Sequence, residues 1–211
     1  KCRTQQARKL GYENFVQLGY DRLGRNCYTP ADVAAVRNQV AADLVPVAEQ
    51  LKEGQAARLG LSELRFWDED TLLPQGNPAP IGGQEALVEA AQQMYREMSP
   101  QTGEFFDFMV ENQLFDLQSK KGKAGGGYCT ELPSYQSPFI FANFNGTVDD
   151  VEVLTHEAGH AFAAYRARNL RYLENTTPTM ESAEVHSMAM ELFSRPWDES
   201  FFGEKAEEFR S

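Results

Sequence analysis

All three histidines of this chain fall between positions 156 and 186, and two of them belong to the run His156-Glu157-Ala158-Gly159-His160. On a helix, a spacing of four residues stacks two imidazoles on one face about a turn apart, close enough to share a metal ion. Glu157 then points in a neighbouring direction, where its carboxylate can take a proton from a metal-held water instead of ligating the ion. The chemistry this predicts is metal-assisted hydrolysis, with His156 and His160 as ligands and Glu157 as general base.

A helix must carry that spacing, and the flanking residues supply its signals. Asn145-Gly146 predicts a turn, Thr147 an N-cap, and Asp150 the reciprocal acidic partner three residues on. Asp149, Asp150 and Glu152 suit the positive end of the helix dipole, and Arg166 and Arg168 the negative end. Val151, Leu154, Ala158, Ala161, Phe162 and Tyr165 recur at three- and four-residue steps, which predicts a buried helix. Gly159 is the exception, since glycine in a helix interior costs about 1 kcal/mol relative to alanine. Its presence predicts close approach by another backbone or by a substrate.

A catalytic zinc site generally uses three protein ligands and one water, His2Glu being one common set. No H-x-x-G-x-x-H continuation follows His160, so the third ligand must be a carboxylate from elsewhere. A second helix reads from Met180 to Phe193, opened by Thr177-Pro178-Thr179 and closed by Pro196. On it Glu184, Ser187 and Glu191 share a face, with Glu181 a turn earlier on nearly the same side. Glu181 and Glu184 compete for the ligand position. Glu191 is a candidate to accept from the other ring nitrogen of a ligand histidine. His186 lies off that face and reads as a substrate-cleft or core histidine.

Between Gly125 and Phe144 two extended runs, Gly127 to Leu132 and Pro138 to Asn143, flank a short connection containing proline. A hairpin beside the metal helix is predicted, whose open edge lets an extended peptide add as a further strand. Gly125, Gly126 and Gly127 permit close approach or loop movement, and Tyr128 is a further substrate-contact candidate. The competing reading of these glycines is a structural turn.

Four blocks in order resemble one family: Lys121 to Thr130, Pro138 to Thr147, Leu154 to Phe162, and Pro178 to Met188. They are similar to the M3 zinc metallopeptidases, specifically the oligoendopeptidase F branch, and Leu10 to Phe15 and Gly76 to Pro80 extend the likeness upstream. The resemblance implies a mainly helical zincin-type catalytic region with a small β-hairpin or short antiparallel sheet beside the metal helix. It further implies one zinc ion per site, short peptides as substrates in a deep channel, and a cytoplasmic location. Position by position, His156 and His160 match the histidine ligands, Glu157 the base and Glu184 the carboxylate ligand. Ser187 and Glu191, three and seven residues later, complete the family pattern and favour Glu184 over Glu181. Relatives carry a His and several tyrosines that serve substrate and oxyanion beyond the second ligand helix. This sequence ends at Ser211 before them and opens at Lys1 without an initiator Met. A fragment is therefore expected, with the remaining segments of the parent enzyme as its partner.

Composition agrees with a folded domain. The 211 residues, 42% hydrophobic, suffice for a sizeable core, and a net charge of −11 argues against nonspecific binding to nucleic acid or an anionic membrane. No apolar run approaches a membrane span, and the opening residues do not form a signal peptide. Cys2, Cys27 and Cys129 are odd in number and widely spaced, which fits reduced thiols.

The whole of residues 1–211 reads as part of one catalytic domain: 1–120 mostly helical, 121–146 the glycine-rich hairpin region, 147–195 the zinc-binding helices. Within the first part, helices are expected over 1–23, 30–58, 84–98 and 103–118, and residues 64–82 as an extended connection or short strands. Val33, Val36, Val40, Leu44, Val47 and Leu51 line one face of the second helix, which is expected to pack on the first. Phe105, Phe106, Phe108 and Phe115 read as core. Two other function classes stand beside the peptidase: a noncatalytic peptide-binding or scaffold fragment that keeps its metal for structure, and a hydrolase of nonpeptide amides.

Overall fold

The computed structural model describes residues 1–210. They form two compact units that divide between Pro74 and Gln75.

In the first unit the expected opening helix is broken in two, α1 (Cys2–Lys9) and α2 (Phe15–Arg22). Gly11 takes φ +87° between them, and the Asn14 side chain caps α2 by accepting the Val16 amide. Helix α3 (Pro30–Gln39) starts at a capping box of Thr29 and Asp32 and runs through a π-helical segment, Val40–Leu44, into α4 (Val45–Leu59). Pro46 stands just beyond that segment; lacking an N–H and crowding the carbonyl four residues back, it forces the ladder to slip there. The expected packing of the valine and leucine face is not found: Val36, Val40, Leu44, Val47 and Leu51 are all exposed. Periodicity identifies an apolar face without specifying what covers it. Residues 64–82 contain no strand and are tethered by buried Gln55, whose Nε2 donates to the carbonyls of Glu69 (3.0 Å) and Thr71 (2.7 Å).

The second unit holds the larger core. Helices α5 (Gln84–Met98) and α6 (Pro100–Glu111) meet at Ser99, which caps α6 by accepting the Thr102 amide. Tyr95, Phe105, Phe106 and Met109 are fully buried, and Phe108 and Phe115 pack against that cluster, as expected of the aromatic stripe. The helix expected to run to Gln118 stops at Glu111. Gln113 adopts φ 51°, and the amides of Gln113 and Leu114 return to the carbonyls of Val110 and Met109, a Schellman closure made without glycine. Beyond this stop the chain enters a strand, β1 (Phe115–Gln118).

Strands β2 (Tyr128–Leu132) and β3 (Ser137–Phe144) form the expected antiparallel hairpin, with Cys129 opposite Ile140. β1 adds a parallel strand on the other side of β3, so the sheet is mixed, in the order β1-β3-β2. Ile140, Ala142 and Phe144 of the central strand face the core, while β2 forms an edge. Helix α7 (Asp149–Ala167) packs on β3 and on α8 (Met180–Ser194). Short helices α9 (Asp198–Phe202) and α10 (Ala206–Arg210) close the chain over Phe201, Phe202 and Phe209. Among the described residues no helix is long and apolar enough to cross a membrane.

Candidate metal centre

The start of α7 is built differently from the expected cap. Thr147 does not cap the helix; its N–H and hydroxyl both go to Asn145 Oδ1, at 3.1 and 2.7 Å. The Asp150 carboxylate instead accepts the amides of Asn145 (3.0 Å) and Gly146 (2.8 Å), pinning the turn from inside the helix. Four residues of turn geometry decide between the two arrangements, and both satisfy the same sequence pattern.

One turn and a half further on, His156 and His160 bring their rings to 4.9 Å between centroids at an interplanar angle of 79°. Glu184 reaches them from α8, its Oε2 lying 3.4 Å from His156 Nε2 and 3.6 Å from His160 Nε2. Among the described residues these three are the group of His, Cys, Asp or Glu side chains able to share an ion, their ligand atoms all within 4.8 Å of one another. Glu181, the competing acid, is not part of it. Bonds of about 2.0–2.1 Å in tetrahedral geometry put two ligand atoms about 3.4 Å apart, so both carboxylate-to-imidazole separations suit zinc. Two imidazoles and one carboxylate also match the donor set that zinc accepts at an open site.

The helices can converge this far because Gly159 has no side chain. A Cβ there would stand 2.6 Å from the His186 carbonyl oxygen and from Ser187 Cα, so the close approach expected of this glycine is to the backbone of α8. His156 presents its other edge to Glu191, with Nδ1 2.6 Å from Oε1. A carboxylate only accepts, so Nδ1 carries the proton and Nε2 is left free. Burial holds the His160 pKa below its ordinary value, with His156 adding to the effect, which favours the neutral ring a metal requires.

Glu157 is buried, and that burial raises its pKa; the neighbouring His156 and the nearby Cys129 amide offset the rise in part. Its Oε1 lies 3.7 Å from where a Cβ on Gly127 would be. The glycine-rich segment therefore runs beside the carboxylate, and Gly126, Gly127 and Tyr128 are exposed. The Tyr128 ring stacks on Phe141 at 4.9 Å. His186 is placed elsewhere: with Gly159, Phe162, Val185 and Phe193 it lines an apolar cavity of about 780 Å³ to which none of the three ligand candidates contributes.

Two positioning residues carry no signature in the sequence strong enough to single them out. Asn143 Nδ2 donates to the carbonyls of Ala124 (2.9 Å) and Gly126 (2.8 Å), and Lys123 Nζ to those of Asp116 and Gln118, both at 2.9 Å. Together they fasten the glycine-rich segment to the sheet. Lys123 follows Lys120 and Lys121 and nothing in the sequence sets it apart from them, whereas Asn143 interrupts an apolar strand; that interruption is the one available signal.

Residues 96–208 match the model of peptidase family M3. Among solved structures, PZ peptidase A with an inhibitor is 50% identical over 99% of this chain, with a TM-score of 0.96. A Bacillus anthracis protein described as an oligoendopeptidase F is 49% identical over 99%, with a TM-score of 0.95. The oligopeptidase PepF of Bacillus subtilis is 27% identical over 113 residues, 52% of this chain and 16% of that protein. The chain spans 37% of the first of these solved chains and 38% of the second. Fold and site together define a helical zincin-type catalytic region. The chain belongs to peptidase family M3.

Proposed function

We propose that this chain carries the catalytic centre of a zinc-dependent endopeptidase acting on short peptides, in which His156, His160 and Glu184 hold the ion. What supports this reading is the convergence of those three side chains with a separate buried carboxylate, Glu157, on the same helix turn. Bound there, zinc would supply Lewis-acid polarisation of a carbonyl and lower the pKa of water toward about 7.

The protein's own groups do the rest. Glu157 takes the proton of the attacking water at its carboxylate and returns it to the leaving amine; the rise in its pKa on burial suits a group that must both gain and lose a proton. The β2 edge holds an extended substrate through backbone amides and carbonyls, independently of its side chains. Gly127 lets the glycine-rich segment lie close against α7 beside Glu157, since a Cβ there would stand 2.9 Å from Val153 and 3.7 Å from Glu157 Oε1, and Gly126 has open space on its side-chain face. The remaining segments of a longer enzyme would restrict access to short peptides, as the family likeness implies.

The test uses the longest natural form of the enzyme. Glu157→Gln should bind zinc as the wild type does and lose hydrolysis of fluorogenic peptides of graded length, while His156→Ala and Glu184→Ala should lose the metal. Substantial turnover by Glu157→Gln removes the assigned base; full zinc content in Glu184→Ala removes the assigned ligand. Binding of peptides without cleavage by the wild type would favour the scaffold reading instead.

A further inference from the structure

Ser187 stands where α7 and α8 press together, its Cα 2.6 Å from the point a Cβ on Gly159 would occupy. Its side chain is fully buried, and its Oγ lies 2.9 Å from Glu184 Oε2 against 3.2 Å from the Glu184 backbone oxygen. A serine hydroxyl has one proton to give. In a helix the carbonyl three or four residues back is the ordinary acceptor, but here the carboxylate oxygen is both nearer and charged, which makes it the stronger partner.

That oxygen is also the one aimed at the two imidazoles. The side chain of Glu184 is 48% exposed, so packing alone leaves its torsions free to swing the carboxylate into water. We infer that Ser187 is a positioning residue, whose hydroxyl donates to Oε2 of Glu184 and holds it in place for the metal. The backbone of Ser187 is itself fixed by the contact with Gly159, so the tether is anchored to the same helix that carries both histidines. Preorganisation of a ligand in this way is paid in folding and recovered as metal affinity.

The inference rests on the zinc reading, and one experiment separates the two. Zinc affinity is measured by chelator competition for the wild type, Ser187→Ala, Ser187→Cys and Glu184→Ala in the longest natural enzyme, with thermal midpoints of the metal-free proteins alongside. Ser187→Ala should bind zinc about 10–100-fold more weakly, the range for loss of a partner that orients a ligand. Its metal-free midpoint should match the wild type, and the cobalt-substituted absorption spectrum should shift. Ser187→Cys, of similar shape with a weaker donor, should fall between the two and serves also if the alanine variant fails to fold. Unchanged affinity in Ser187→Ala, or an affinity loss matched by an equal loss of metal-free stability, overturns the positioning role and leaves the zinc reading intact. A wild type that binds zinc no better than Glu184→Ala overturns both.

Discussion

His156 and Glu191, thirty-five residues apart in the chain, meet with Nδ1 and Oε1 at 2.6 Å, so that one imidazole is gripped from behind by an acid while its free edge faces Glu184. Nothing in the spacing of α7 alone fixes the tautomer of that ring. The acceptor on α8 does, and it also adds electron density to the nitrogen offered to a metal.

Replacing Glu191 by Gln should therefore weaken zinc binding by about 10–100-fold while leaving the fold in place. Glutamine preserves the size of the side chain but removes its charge, and its amide can turn a donor toward Nδ1, favouring the wrong tautomer. Chelator competition against the wild type measures the effect. Equal affinities would mean that the ring is oriented by packing and that the 2.6 Å contact contributes nothing to the site.

Two helical glycines should respond in opposite senses to the same substitution. At Gly159 an added Cβ meets backbone atoms of α8 at 2.6 Å, and backbone cannot move aside as a side-chain tip can. Overpacking of that kind costs about 1–3 kcal/mol or more, enough to outweigh the roughly 1 kcal/mol that alanine gains in helix propensity. At Gly54 in α4 nothing lies within 4 Å, so only the propensity gain remains. Gly159→Ala should lower the denaturant midpoint and weaken zinc binding, and Gly54→Ala should raise its unit's stability by about 0.5–1 kcal/mol. A neutral Gly159→Ala would show that the helices can separate without cost.

The contrast between those glycines also marks how far the sequence reaches. His156, Glu157 and His160 are legible because the helical period is local and the spacing of four residues already fixes their relative directions. The convergence of α8 on them is legible only through the likeness of Pro178 to Met188 to a family, since helix periodicity by itself leaves Glu181 and Glu184 in competition. Strand β1 reads as helix because Leu114, Phe115 and Leu117 continue an apolar pattern that fits either period, and the stop at Gln113 carries no glycine to announce it. The exposed face from Val36 to Leu51 reads as packed because amphipathicity reports what is apolar, not what is covered. Lys123 and Asn143 stay hidden for a third reason: their partners are backbone carbonyls, which have no identity in a sequence.

Cys129 offers a check on the electrostatics beside Glu157. Burial, reinforced by the charge of Glu157, pushes its thiol from an ordinary 9.0 up to about 12, whereas Cys2 and Cys27 are exposed. A folded-state pKa above the unfolded one means that folding favours the neutral thiol. The stability this represents is complete below about pH 9 and is lost as pH rises from there toward about 12. At about pH 8.5 iodoacetamide should modify Cys2 and Cys27 and spare Cys129, because only the thiolate attacks. Between about pH 9 and 10.5 the native protein should lose stability faster than Cys129→Ala, with the two curves running parallel below about pH 8. Mass-spectrometric mapping of the labelled sites reads the first result and denaturation across the pH series the second. Uniform labelling of all three cysteines would show that the strand carrying Cys129 opens readily, and an edge that opens could not hold a peptide in register against Glu157.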